Sequence, residues 1–204
     1  MNLYDYSLYI LLATGTVLSP GPAVLYTIGN TLTHGRLQAV AGFCGVAAGI
    51  LLVATLASIL VLSLVSMLGP AARIMQYVGA IYLIYLGIKS WCRGGVNHLT
   101  VDKVSVSNKG LFFRGILISL LNPKAIAFFT SLFPQFIDLR DGNLLQCGLL
   151  AVTFSLIVLL VHSGYCLGIH WLGMRVVGTR MALVINRLSG AMFLLFGLTL
   201  LSRS

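Results

Sequence analysis

The chain has 204 residues, of which 58% are hydrophobic and only 8% are charged, and it contains no glutamate. An average soluble domain has roughly 25% charged residues, and so few polar groups cannot cover the surface of a soluble protein of this size. The composition therefore excludes a soluble enzyme and predicts an all-α integral membrane protein. The net charge of +9 is spread singly between apolar runs, which favours orientation against anionic headgroups over nucleic-acid binding.

Six segments are predicted to be transmembrane helices, each close to the ~20 residues that a bilayer requires. They cover residues 7–31, 39–65, 71–91, 111–136, 144–168 and 182–201. We expect one transmembrane domain over residues 1–204, in which a polar linker at about 92–110 separates repeat 1 (1–91) from repeat 2 (111–204). The first segment lacks a preceding basic region and a small-residue cleavage site, so we interpret it as a retained helix.

The basic residues predict the orientation. With six spans, nine of the thirteen Lys and Arg residues lie on the side that carries the linker, and three lie on the other side. Because positive charge accumulates in the cytoplasm, the linker is predicted to be cytoplasmic and both termini periplasmic. A five-span topology with a cytoplasmic N-terminus is the alternative.

The two halves of the chain resemble each other. Residues 18–20 (Leu-Ser-Pro) match 121–123 (Leu-Asn-Pro), and 44–45 (Cys-Gly) match 147–148 at the same offset. A weaker match relates 79–85 to 190–196. Three spans in each half would insert the halves in opposite directions. The pattern therefore predicts a 3+3 inverted repeat, an arrangement typical of transporters.

Prolines interrupt span 1 and span 4 at corresponding positions. Proline removes a backbone donor and clashes with the preceding turn, and irregular backbone at this depth is tolerated only beside protein or a polar cavity. The breaks are therefore predicted to form a substrate site, with an ordinary proline kink as the alternative. The predicted binding residues are Ser19, Pro20, Gly21, Pro22, Asn122, Pro123 and Lys124.

Lys124 is the charged residue of this set. An ammonium near the bilayer centre is costly unless it is hydrated or paired, so Lys124 is predicted to meet an anionic part of the substrate, such as a carboxylate. Free N–H groups near Gly21, Ala23 and Ala125 would assist, and carbonyls at 16–19 and 119–121 could hold a substrate ammonium. The alternative for Lys124 is a structural bond to the carbonyls of a broken helix.

Other polar positions are weaker candidates. Asn30, Asp138 and His162 are possible pathway or coupling residues, although a helix cap, an interfacial loop and a packing contact explain them as simply. The glycines of span 2 are predicted to allow close helix contact; they are Gly42, Gly45 and Gly49.

Two signatures resemble the LysE/RhtB family of bacterial amino-acid exporters. The first is Ser19-Pro20-Gly21-Pro22 with Gly35, Gly42, Gly45 and Gly49, and the second is Asn122-Pro123-Lys124-Ala125 with Phe128-Phe129 and Phe133-Pro134-Gln135-Phe136. The resemblance covers nearly the whole chain. It implies export of amino acids across the bacterial inner membrane, coupled to protons, by a protein that can form homo-oligomers. Neutral cargo such as homoserine, threonine or leucine is expected.

Two alternatives stay open. A transporter of the same architecture could carry a metal ion or another small metabolite, although the breaks offer Ser, Asn and Lys where metals prefer carboxylate, imidazole or thiolate. A membrane thiol-redox protein could use Cys44 and Cys147, which occupy equivalent positions of the two halves. No cofactor, resident metal or ATP-binding loop is predicted.

Overall fold

The computed structural model describes residues 2–67, 71–92, 106–137, 144–172 and 179–202. Within these ranges every regular element is an α-helix, which confirms the all-α prediction. The helices are α1 (Leu3–Leu18), α2 (Pro22–His34), α3 (Arg36–Met67), α4 (Ala71–Cys92), α5 (Asn108–Leu120), α6 (Pro123–Phe136), α7 (Leu144–Leu172) and α8 (Thr179–Ser202).

Both predicted breaks are present. The chain bends by 53° between α1 and α2, and by the same angle between α5 and α6. Pro22 and Pro123 are the first residues of α2 and α6. At this position proline has no helical hydrogen bond to lose and its fixed φ suits the helix. The prolines therefore start the second half-helix of each pair, and spans 1 and 4 are broken as predicted.

Two helices are long and apolar enough to cross a bilayer unbroken. They are the segments Arg36–Val61 of α3 and Leu144–Ile169 of α7, each of 26 residues. Counting each bent pair as one span raises the number of candidate spans to four. The apolar parts of α4 and α8 are shorter and cover Tyr77–Cys92 and Leu183–Thr199. The total of six transmembrane spans therefore stays a prediction.

One face of α7 has the character of a lipid-facing surface. Large apolar side chains recur at helical spacing on this face and are half or more exposed: Leu145, Leu149, Val152, Leu156 and Leu160. The opposite face, which includes Leu150, Phe154 and Val158, is buried against other helices. A helix that is apolar all round while one side is uncovered is typical of a protein surrounded by lipid.

The helices occur in the same order in both halves: a broken pair, a long helix, and a shorter helix. The inverted relation of the halves stays a prediction. The helices reach slightly into both ends of the predicted linker at 92–110, because α4 ends at Cys92 and α5 begins at Asn108. Ser107 caps the start of α5, and its Oγ accepts from Gly110 N at 3.2 Å. Residues 93–105 lie outside the described residues.

Glycines bring α3 and α5 into close contact, as predicted for span 2. A Cβ added at Gly45 would collide with the backbone of Phe112, and one added at Gly115 would collide with the carbonyl of Gly42. At Gly49 an added Cβ would lie 2.7 Å from Ser119 Cβ. Ser119 Oγ also donates to Val46 O at 2.8 Å. Glycine therefore sets the distance between α3 and the first half of the second broken span.

An aromatic cluster fixes α6 against α1 and α7. The Phe128 and Phe154 rings lie 4.8 Å apart, and Tyr9 contacts Phe128 and Phe136 edge-on. Tyr9 OH donates to Leu150 O at 2.8 Å, so its hydroxyl is satisfied although the ring is fully buried. This cluster holds the half-helix that begins at the second break.

Candidate functional site

A small cavity lies where the two breaks approach each other. Its polar wall comprises Thr16, Ser19, Asn122, Lys124 and His162, and its apolar wall includes Val17, Val46, Ile50, Phe154 and Val158. The cavity volume is about 40 Å³, far below the roughly 300 Å³ of a small-molecule pocket. It has room for a few water molecules, so a larger ligand requires the surrounding helices to separate.

Lys124 connects the two breaks. It lies in the first turn of α6, and its Nζ donates to the carbonyl oxygen of Ser19 at 3.2 Å and sits 5.7 Å from the Phe193 ring centroid. The Ser19 carbonyl lacks a helical donor because α1 ends at Leu18 and Pro22, three residues further on, has no N–H. The structural bond considered as the alternative role for Lys124 is therefore present.

Two further donors reach the end of α1. Tyr165 OH on α7 donates to Leu18 O at 2.8 Å, and Ser189 Oγ on α8 donates to Gly15 O at 2.9 Å. These donors, like Lys124, belong to the second half of the chain. Of the carbonyls predicted to receive a substrate ammonium, those of Leu18 and Ser19 already accept from side chains, as buried polar groups usually do.

The second break is capped by its own asparagine. Asn122 Oδ1 accepts from Lys124 N at 3.1 Å, and Asn122 O accepts from Ala125 N at 3.0 Å. The prediction of a free N–H at Ala125 is therefore wrong, because that N–H already has a backbone acceptor. Tyr82 OH on α4 donates to Pro123 O at 3.1 Å, so the first half of the chain also contacts the second break.

The predicted site residues fall into three groups. Cavity-lining positions are Ser19, Gly21, Asn122, Lys124 and His162. Pro20, Pro22 and Pro123 shape the breaks and are not part of the lining. Asn30 is buried beside Gly42 and Tyr26, away from the cavity lining, and Asp138 lies outside the described residues.

Sequence reasoning missed several polar residues that are fully or partly buried. Thr27 Oγ1 lies 2.6 Å from His162 Nδ1, with both side chains fully buried. Tyr165 holds Leu18, as described above, and Asn186 is buried with no hydrogen-bond partner for its Oδ1 in the described chain. The available signal was a polar residue within an apolar helix, which does not identify its partner without tertiary contacts.

The described residues provide little support for the two alternative functions. No three His, Cys, Asp or Glu side chains of the described part come together as a metal site would require. Cys147 belongs to the main hydrophobic core, whereas Cys44 packs beside a separate group formed by Ala39, Phe43 and Cys166. All four cysteines are free thiols, and the equivalent positions of Cys44 and Cys147 do not make them a pair.

Long apolar helices, broken helices and a small cavity at the two breaks define a multi-pass membrane protein. Residues 15–204 match the family described as LysE type translocator, and the chain belongs to this family of membrane transporters. The resemblance drawn from the two proline-containing signatures is therefore confirmed.

The relatives span almost the whole chain. A homoserine/homoserine lactone efflux protein of Salmonella typhimurium is 33% identical over 95% of this chain and 94% of the relative. A leucine efflux protein of Salmonella choleraesuis is 31% identical over 96% of this chain and 93% of the relative. An uncharacterized membrane protein of Vibrio cholerae is 30% identical over 98% of both chains. No solved structure matches the chain.

Proposed function

We propose that the protein is a secondary transporter that exports neutral amino acids across the bacterial inner membrane, driven by the proton motive force. The observation that carries the proposal is the contact between Lys124 Nζ and Ser19 O at the cavity. It brings a cation together with a backbone acceptor that has no helical donor, in a partly buried place. The names of the homoserine and leucine efflux relatives support the same class of cargo.

The contact suggests how a zwitterion is held. The α-carboxylate of the substrate takes the Lys124 ammonium as its partner, and the α-ammonium of the substrate takes the Ser19 carbonyl that Lys124 releases. Each charge then exchanges one partner for another, so neither is left unpaired in a site of low dielectric. Because the cavity holds about 40 Å³, this exchange is coupled to separation of the helices that carry the two breaks.

Charge favours neutral cargo over cationic cargo. The acidic residues of the chain are Asp5, Asp102, Asp138 and Asp141, and all four lie outside the six predicted spans. No carboxylate is among the described residues that line the cavity. A lysine or arginine side chain would bring a second cation beside Lys124 without an opposing carboxylate in this part of the lining. Substrates with an uncharged side chain avoid this repulsion.

We further propose that six spans form the 3+3 inverted repeat. The equal 53° bends of the two broken pairs support this arrangement. The full helices α4 and α8 have 22 and 24 residues, which corresponds to about 33–36 Å of helix, enough for a hydrocarbon core of about 30 Å. Transporters of this design alternate access by moving one repeat against the other.

An efflux assay tests the proposed function. Cells that express the chain are loaded with a panel of dipeptides, and the amino acids that appear in the medium are followed over time. We expect selective export of a few neutral amino acids, which a protonophore abolishes. Absence of export of any amino acid, from protein shown to be in the membrane, would contradict the proposal.

A further inference from the structure

The hydrogen bond between Thr27 and His162 has no part in the zwitterion site described above. His162 lines the cavity from α7, and Thr27 lies on α2, one turn beyond the lining residues Ala23 and Val24. Thr27 Oγ1 and His162 Nδ1 are 2.6 Å apart, and the exposed fractions of the two side chains are 0% and 1%. A cavity that already has a polar end at the breaks thus has a second polar group.

The Thr27 hydroxyl bonds to one of the two ring nitrogens of His162. Thr16 and Thr31, also buried, donate to the carbonyl four residues earlier, whereas Thr27 is bonded to the ring nitrogen. If the hydroxyl donates to Nδ1, the ring hydrogen is on Nε2. Within the described ranges the hydrogen bond of the His162 ring is the one to Thr27. In that tautomer Nε2–H is the ring donor available to a ligand in the cavity that His162 lines.

Apolar residues form much of the remaining cavity wall. Val24, Val46, Ile50 and Val158 line the cavity together with residues of the breaks and His162. Thr27 lies five positions after Pro22, the first residue of α2, and five positions of an α-helix correspond to a rise of about 7.5 Å. A side chain of two carbons and a terminal oxygen extends roughly 4 Å and a hydrogen bond adds about 3 Å, so such a side chain covers this distance.

We infer that Thr27 and His162 form the specificity-determining pair of the cavity, which selects amino acids with a hydroxyl or carbonyl oxygen at the end of a short side chain. His162 Nε2–H donates to that oxygen, and Thr27 is a positioning residue that holds the ring and its tautomer. A substrate of equal size that ends in a methyl group leaves the buried donor without an acceptor, which disfavours it. This inference rests on the proposed function.

Homoserine and norvaline test the inference, because they differ by a hydroxyl in place of a methyl group at the end of the side chain. The full chain is reconstituted in vesicles loaded with both amino acids, and the ratio of their initial efflux rates is measured. We expect the wild-type chain to favour homoserine, and Thr27→Val and His162→Leu to lower the ratio about fivefold, the contribution of one average hydrogen bond. Thr27→Ser and His162→Gln, which keep a hydroxyl and a donor, should restore much of the preference.

Thr31→Val is the matched control. Thr31 is a buried threonine on the same helix whose hydroxyl donates to Thr27 O, and its replacement should leave the ratio unchanged. A wild-type chain that exports both amino acids without preference would overturn the inference and leave the proposed function intact. A Thr27→Val variant in which the efflux rates of homoserine and norvaline fall equally would also overturn the inference. A wild-type chain that exports no amino acid would overturn the proposed function itself.

Discussion

The Lys124 ammonium has a protein acceptor before any substrate arrives. Its Nζ bonds to Ser19 O, a carbonyl that the proline break left without a helical donor. An ammonium at this depth would otherwise cost several kcal/mol. In the substrate-free protein this pair stabilises the break. In the substrate-bound protein the same two groups can bind a zwitterion, because its carboxylate accepts from Lys124 and its ammonium donates to the Ser19 carbonyl.

Asn122 makes a prediction about stability at the second break. Its Oδ1 accepts from Lys124 N at the start of α6, and loss of such a cap costs about 1 kcal/mol. We expect Asn122→Ala to lower the unfolding midpoint in detergent by about 2–4 °C, whereas Asn122→Ser, which keeps a capping oxygen, should stay close to wild type.

Asn2→Ala is the control for this measurement. Asn2 caps α1 by accepting from Asp5 N at 2.8 Å, but at an exposed end where water can replace it. Its replacement should change the midpoint little. An Asn122→Ala midpoint equal to wild type would show that the cap does not hold the break.

At the level of single residues, the sequence could identify the breaks and Lys124, but not their partners. Proline within an apolar run and a lysine far from either membrane surface are local signals. The contacts of Thr27 with His162 and of Leu18 with Tyr165 join positions 135 and 147 residues apart. Nothing in the local sequence specifies such pairs, because they depend on how the helices pack.

At the level of helices, the contact of α3 with α5 differs from its counterpart in the second half. Gly45 faces the backbone of Phe112, whereas an added Cβ at the equivalent Gly148 would meet nothing within 4 Å. The two glycines match in the sequence, but only one is needed for close packing. The close contact predicted for span 2 is thus present between α3 and α5, and α7 makes no such contact at Gly148.

This difference gives a matched pair of variants. Gly45→Ala should destabilise the protein by about 1–3 kcal/mol, because a methyl group must displace a neighbouring backbone. Gly148→Ala places the same methyl group in open space and should be neutral or slightly stabilising, since alanine favours the helix. Thermal unfolding of both variants in the same detergent compares them. Equal midpoints would contradict the packing described for α3 and α5.

The order of the long and broken helices could be predicted from the sequence, whereas their first and last residues were predicted less accurately. Long apolar runs and paired prolines predicted α3, α7 and the two broken pairs, because hydropathy and proline act locally. The helices on either side of the linker extend slightly beyond the predicted spans, since polar residues such as Asn108 can begin a helix when Ser107 caps it. A polar composition alone does not separate a loop from the first turn of a helix.

Across the whole molecule, the two matching segments of the chain bring different groups to the cavity. The match of residues 18–20 with 121–123 pairs Gly21 with Lys124 at the next position. Gly21 has no side chain and lines the cavity, with nothing closer than 3.9 Å to an added Cβ. One half thus supplies the charge, and the other supplies space and the carbonyl that accepts from Lys124. The predicted inverted repeat would place such a site between its two halves.

The number of spans decides the topology. Six spans place both termini on the same side of the membrane, and the distribution of Lys and Arg predicts that this side is the periplasm. Alkaline phosphatase fused after residue 204 should therefore be active, and a fusion within residues 93–105 inactive. Termini on opposite sides would favour the five-span alternative and contradict the inverted repeat.

The most direct test of the central claim is the efflux of homoserine and leucine from cells that express Lys124→Met. Methionine keeps an apolar stem and removes the ammonium. The matched control is Lys89→Met, which removes an exposed lysine whose Nζ contacts Tyr85 on the same helix. If the cavity between the breaks is the substrate site, Lys124→Met lowers efflux at least about tenfold at equal amounts in the membrane, as loss of a charge-assisted contact requires, and Lys89→Met exports normally. Efflux by Lys124→Met at the wild-type rate would contradict the account, because the substrate would then bypass the one Lys or Arg among the described residues that line the cavity.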